Sequence, residues 1–214
     1  MNLFKSRESR SITSICVLGP DGSGKTTLIN NLRKKLALNG NRVKYEHLRP
    51  KIIGCDNSHL QNQIHTTNPH SLPPRNNIFS AIKLFGFVIM YYLEHLSNLR
   101  ASYQYITVWD RYIYDIYADP RRYRIKLPQK IVMQFINLSP DLDIVFILDI
   151  KPDILRKRKI EVSARENERQ YYAYRKLAKL IPNSYVINAN QHPSDILDDI
   201  WNIIKTRYYL PKNN

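Results

Sequence analysis

Eight consecutive residues, Gly19-Pro-Asp-Gly-Ser-Gly24-Lys25-Thr26, fit the pattern G-x-x-x-x-G-K-[ST]. Glycines at these positions let a loop wrap so that successive backbone N–H groups point inward at phosphate oxygens. Lys25 adds a mobile positive charge near a transferred phosphoryl group. The Thr26 hydroxyl is the expected Mg²⁺ ligand, and the dipole of the helix that follows adds to the attraction. Gly19, Asp21, Gly22, Ser23, Gly24, Lys25, Thr26 and Thr27 are therefore the candidate nucleotide contacts. Glycine is scarce here, six in 214 residues, and three of the six fall within this loop. Four fixed positions match by chance in about 1% of chains of this length. The motif by itself leaves ATPase, GTPase and kinase open.

Such a loop works only between a strand and a helix, and both are predicted. Residues 12–18 form a continuous apolar run rich in β-branched side chains, read as a buried strand. Leu28, Leu32 and Leu36 recur every fourth residue over 24–39, which predicts a helix, and Gly40 stands where a left-handed C-cap is needed. Further strands are predicted over 42–47, 105–109, 143–149 and 185–187. Helices are predicted over 76–102, from Pro152, from the capping box Ser163-Ala-Arg-Glu166 to about Leu180, and over 194–208. Strands alternating with helices mean an α/β fold with a parallel sheet covered on both faces. The domain is expected over 12–210, behind a basic tail of residues 1–11, with the proline-rich 66–77 as a loop inside it.

The chain is long enough for one such domain, and 43% hydrophobic residues exclude disorder throughout. Cys16 and Cys55 give no disulfide framework, and two cysteines with six scattered histidines lack zinc-ligand spacing. A reducing, cytoplasmic location is expected, with no signal peptide. The apolar stretch 78–93, broken by Lys83, is shorter than the ~20 residues of a bilayer span. It reads as a buried helix, with a subunit interface or membrane-surface contact as the other uses. The net charge of +15, from 33 basic and 18 acidic residues, points to a polyanionic partner. The basic residues gather at the phosphate loop, at 121–126 and at 156–169. They do not form one stripe between aromatic residues, which argues against nucleic acid.

Three further segments narrow the chemistry: Trp109-Asp110-Arg111-Tyr112, Pro140 to Asp149 followed by Arg156-Lys-Arg-Lys159, and Val186-Ile-Asn-Ala-Asn190. In this order, with Gly19 to Thr27, they resemble the thymidylate kinase family of nucleoside monophosphate kinases, over about 12–205. The resemblance implies a three-layer P-loop kinase sandwich with a five-stranded parallel sheet of order 2-3-1-4-5. It also implies a lid at about 156–170 closing over ATP and Mg²⁺, and a homodimer. Asp21 takes the family's acidic position facing the acceptor. Gly22 stands where some members place a catalytic arginine; members without it supply one from the lid, here Arg158 or Arg169 ahead of Arg165 and Arg156. Asp110 and Arg111 match the D-R pair. The Asp organises Mg²⁺ or orients the acceptor, and the Arg holds acceptor phosphate. Arg49, in His47-Leu-Arg-Pro50, matches another acceptor-phosphate arginine.

The chain departs from that family on the acceptor side. No arginine occurs in residues 76–99, and the residues after Asp110-Arg111 read Tyr112-Ile-Tyr-Asp115-Ile-Tyr-Ala-Asp119-Pro-Arg121-Arg122-Tyr123-Arg124. Tyr112 is expected to stack on an acceptor ring, Asp115 to meet a hydroxyl, and Arg121 and Arg122 to hold anionic groups. The bland alternative is a surface helix and turn with solvated charges. Two acceptor classes follow: a nucleoside monophosphate such as dTMP, or a sugar, sugar phosphate or glycan end. A nucleotide-regulated nucleic-acid-binding protein is the third reading.

Overall fold

A computed structural model describes residues 10–48, 73–100, 105–158 and 163–209. Its strands are β1 (Arg10–Ser11), β2 (Ser14–Leu18), β3 (Val43–His47), β4 (Ile106–Asp110), β5 (Ile144–Asp149), β6 (Ser184–Asn188) and β7 (Tyr208–Tyr209). Its helices are α1 (Lys25–Leu38), α2 (Asn77–Arg100), α3 (Tyr114–Ala118), α4 (Gln129–Asn137), α5 (Pro152–Arg158), α6 (Ala164–Ala178) and α7 (Pro193–Arg207).

Five strands form one all-parallel sheet in the order β3-β4-β2-β5-β6. Numbered along the chain, that is the expected order 2-3-1-4-5. The pleat of β2 divides its side chains between two cores. Cys16 and Leu18 pack with α2, α3, α4 and α6, whereas Ile15 and Val17 pack with α1 and α7. The leucine spacing of α1 does what it predicts: Leu28, Leu32 and Leu36 are buried, and Gly40 ends the helix at φ 80°.

The central strand β2 pairs with β4 on one side and β5 on the other. The strand order reverses there, so a crevice opens beyond the carboxyl end of β2, the usual ligand position in open α/β sheets. Residues 19–24 occupy that position.

Several boundaries differ from expectation. The tail is tied down at its end, because Arg10 and Ser11 pair in parallel with Tyr208 and Tyr209. Helix α4 lies where the sequence pattern predicts none, and α3, in the segment whose bland reading is a surface helix, is buried along its whole length. The Ser163 hydroxyl accepts from the Glu166 N–H at 3.3 Å, while the Glu166 carboxylate turns to Arg169 instead of closing the box. Helix α2 runs on through Leu96 and Leu99, so its 77–99 stretch is long and apolar enough, by length and composition, to cross a membrane. Its inner face nonetheless packs on the sheet through Leu84, Phe87, Val88 and Tyr91. Arg49, Cys55 and most of the 66–77 loop lie outside the described residues.

Candidate functional site

The loop after β2 is built on left-handed glycines. Gly19, Gly22 and Gly24 have φ of 152°, 83° and 90°, a region that costs other residues about 1–2 kcal/mol. A Cβ on Gly19 would stand 3.0 Å from Ser23 Oγ and 3.1 Å from Leu148 Cβ, so the loop turns tightly against β5. Gly24 is the N-cap of α1. No side chain caps it, and no acidic residue stands in the first turn. The leading N–H groups of a helix have no intrahelical acceptors, so this end favours an anion.

Lys25 is buried, and its Nζ donates to the carbonyls of Gly19 and Pro20 at 2.8 and 2.7 Å. Burial, reinforced by the guanidinium of Arg111, lowers its pKa to about 8 despite the carboxylate of Asp21 3.9 Å away. Thr26 and Thr27 are exposed on the first turn, and Ser23 Oγ is buried with no hydrogen-bond partner. Beside the loop, Ser23, Gly24, Thr27, Gln191, Pro193 and Ile196 border a cavity of about 90 Å³.

Asp110 ends β4 level with Val17 of β2. One carboxylate oxygen accepts from the Tyr45 hydroxyl at 3.2 Å, while the other, Oδ1, is buried without a partner. Burial and this carboxylate push the Tyr45 phenol up to about 12. An unsatisfied carboxylate oxygen in a buried position is costly, and a cation is the natural complement.

Arg111 follows with φ 70°, a strained value for a non-glycine residue of the kind that gathers at functional sites. Its guanidinium forks between two carboxylates, Asp21 of the loop and Asp115 of α3. Arg122, in the turn after α3, also pairs with Asp21. Burial opposes ionisation of Asp21, but Arg111, Lys25 and Arg122 overcome it and hold the carboxyl well below the usual range.

Asp115 is fully buried. It takes hydrogen bonds from the hydroxyls of Tyr123 and Tyr174, each at 2.5 Å, besides its pair with Arg111. Burial raises its pKa and Arg111 with the two phenols lowers it further than burial raises it. The Tyr174 oxygen also lies 3.2 Å from the Gly19 carbonyl oxygen, so helix α6 reaches the loop directly.

The geometry corrects three readings. Tyr112 cannot stack on a ligand: it is 1% exposed, its ring 4.0 Å from Tyr91 and close to Trp109 and Tyr114, with its hydroxyl donating to the Pro140 carbonyl. Asp115 is not a solvated charge or a group open to an acceptor hydroxyl, because its oxygens are taken by Arg111, Tyr123 and Tyr174. Arg169 is committed to Glu166, three residues back on the same helix, and to the Ala118 carbonyl at 2.9 Å, which docks α6 on α3. Of the other arginines, Arg158 closes α5, Arg121 is exposed, and exposed Arg156 pairs with Asp153. Nothing in the sequence marks Tyr45 or Tyr174 for this site, and Tyr123, in the segment expected to stack on an acceptor ring, is buried and donates to Asp115 instead. The i,i+4 spacing of Arg111 and Asp115 was the one available hint of that cluster.

Among the described residues, no three His, Cys, Asp or Glu side chains converge as a metal cluster. Mg²⁺ needs no such cage, since one or two protein oxygens, waters and substrate phosphates usually complete its shell. The Thr26 hydroxyl and the unpartnered Asp110 Oδ1 are hard oxygen donors that fit it. No protein-family model matches the chain, and no curated protein matches it.

Proposed function

We propose that the protein is an ATP- and Mg²⁺-dependent phosphotransferase of thymidylate kinase-like type. It moves the ATP γ-phosphoryl group to a small acceptor such as dTMP or another nucleoside monophosphate. The observation that carries this reading is the uncapped amino end of α1, with left-handed Gly24 at its N-cap and the buried Lys25 ammonium just inside it.

Phosphoryl transfer asks a protein for positioning and for charge to offset the crowded phosphate oxygens, more than for covalent chemistry. The loop N–H groups and Lys25 cradle the phosphates. Thr26 and Asp110 hold Mg²⁺, which neutralises phosphate charge when bound. The cavity beside Gln191 and Pro193 lies next to this cradle, where it takes part of the nucleotide. Arg111 and Arg122, converging through Asp21, bring positive charge to the acceptor side, and Asp21 faces the acceptor hydroxyl. Asp115 acts through Arg111, fixing the direction of its fork.

A second acceptor class has its own support. Tyr112, Tyr114, Tyr117 and Tyr123 are all buried, so none of these segment tyrosines stacks on a nucleobase. This favours a sugar, sugar phosphate or glycan end. ADP release with Mg²⁺-ATP against a panel of nucleotides, sugars and sugar phosphates tests both. Acceptor-stimulated release with dTMP alone selects the first class. Release with a sugar-type acceptor alone selects the second, and no stimulation together with salt-sensitive nucleic-acid binding overturns both.

A further inference from the structure

A larger cavity lies at the opposite end of the sheet from the glycine loop. It measures about 220 Å³ and sits among the amino ends of β2 and β4, the residues before β5 and the second half of α2. The strands are parallel and β2 spans five residues, so this cavity stands roughly 16 Å from the loop.

Its floor follows from the pleat. Ser14 and Thr107 are paired neighbours on β2 and β4, on the same face as Trp109. Both are small, whereas Trp109 carries a ring packed on Tyr91 and Tyr112. The short side chains leave a void under α2, and the three rings help to line it.

The polar groups of the lining are not alike. Ser14 Oγ donates to a carboxylate oxygen of Asp143 at 3.0 Å and accepts from the Asp143 N–H at 2.9 Å, so it is committed. Thr107 is 1% exposed, and its Oγ1 has no hydrogen-bond partner among the described residues. A buried hydroxyl left this way is costly, and a ligand is one means of completing it. Glu94 is buried too. Lys44 pairs with it and with buried Glu46 but does not line the cavity. The described lining holds three carboxylates, Glu94, Asp141 and Asp143, and no lysine or arginine, in a chain of net charge +15. Exposed His95 and Asp141 stand at the rim.

That sign disfavours the phosphates that the glycine loop attracts and favours a cation. The volume sets the size: a cavity of about 150 Å³ holds benzene, so this one has room for a single ring with a short substituent.

We propose that this cavity binds a ring-sized organic amine. The ring lies against the aromatic wall, and the ammonium sits between Glu94 and Thr107, whose Oγ1 accepts one of its N–H groups. The site is separate from the nucleotide cradle and does not depend on the chain's being a kinase.

Benzylamine is the probe, with benzoate as the same ring carrying the opposite charge. Each is titrated into the full chain at neutral pH without nucleotide, and the two tryptophan indole N–H resonances are followed. Trp201 lies in the other core and serves as the internal control. Benzylamine is expected to move the Trp109 resonance saturably in the millimolar range and leave Trp201 in place, and benzoate to move neither. Thr107→Val keeps the branched shape and is expected to weaken benzylamine about 10-fold with no loss of thermal stability, because no protein hydrogen bond is removed. Asn98→Phe, from the partly exposed side of α2, is expected to fill the cavity and abolish the shift. A Trp109 resonance that does not respond to benzylamine overturns the proposal. Equal binding of benzoate, an equal shift at Trp201, or unchanged benzylamine affinity in both variants also overturns it.

Discussion

Arg111 and Asp115 form an ion pair four residues apart in which both side chains are buried, and each holds further partners from distant parts of the chain. Arg111 reaches Asp21 of the glycine loop after β2, and Asp115 receives Tyr123 and Tyr174. The pair thus joins β4, the loop, the turn after α3 and helix α6 at one point. Breaking a buried pair by removing one charge leaves the other uncompensated, at about 3–5 kcal/mol. Asp115→Asn is expected to lose about 3 kcal/mol of that range, because Arg111 keeps Asp21. Urea unfolding would show this as a lower midpoint at unchanged slope. Tyr174→Phe should cost less, about 1–2 kcal/mol, the price of one buried hydrogen bond. The folded pKa of Asp115 is depressed, so its contribution is complete above the unfolded aspartate pKa and is lost as pH falls through the folded one. The parent protein should therefore lose stability below about pH 4, and the Asn variant should lose less over the same interval.

Lys25 supplies a pH dependence of opposite sense. With a pKa near 8 in the free protein, its ammonium deprotonates as pH rises through 8. Phosphate binds the protonated form, so ATP binding at pH 8–9 should take up a proton, and affinity should fall as pH rises through that interval. Calorimetry in buffers of different ionisation enthalpy measures the uptake. Equal affinity at pH 7 and 9.5 would contradict this role for Lys25.

The loop glycines should differ in cost. Gly24→Ala introduces a left-handed alanine into open space and should cost about 1 kcal/mol. Gly19→Ala adds a collision with Leu148 and Ser23 to the same backbone strain, and should cost roughly 2–4 kcal/mol. Thermal unfolding of the two variants side by side gives the ranking.

Asp110→Asn keeps the shape of the strand end and removes the charge of the unpartnered Oδ1. On the proposed role, in which this carboxylate would serve Mg²⁺ in the transition state more than in the bound nucleotide, turnover should fall about 100-fold or more while ATP affinity changes only a few-fold. Parallel losses in both would make Asp110 structural.

The sheet and the glycine-built turn between β2 and α1 were legible because their signals are local. Buried parallel strands are short continuous apolar runs, and the loop is fixed by glycines at set offsets. The region from Tyr112 to Leu138 was not. Its tyrosines have an apolar body and a polar tip, so the periodicity of the five-residue α3 is blurred, and α4, nine residues long, buries only Val132 and Ile136. Asp115 reads as solvated in isolation, since its burial depends on hydroxyls 8 and 59 residues away. Arg169 shows the converse. The family resemblance reads 156–170 as a lid and so suggests catalysis, yet Glu166, three residues back, already claims its guanidinium.

The central claim is that the loop and Lys25 hold ATP for transfer of its γ-phosphoryl group. The most direct test is single-turnover transfer of γ-labelled phosphate from Mg²⁺-ATP to an acceptor found by the panel, comparing the parent chain with Lys25→Ala at matched fold. The account predicts label in the acceptor for the parent and none above background for the variant. Equal transfer by the two chains would contradict it.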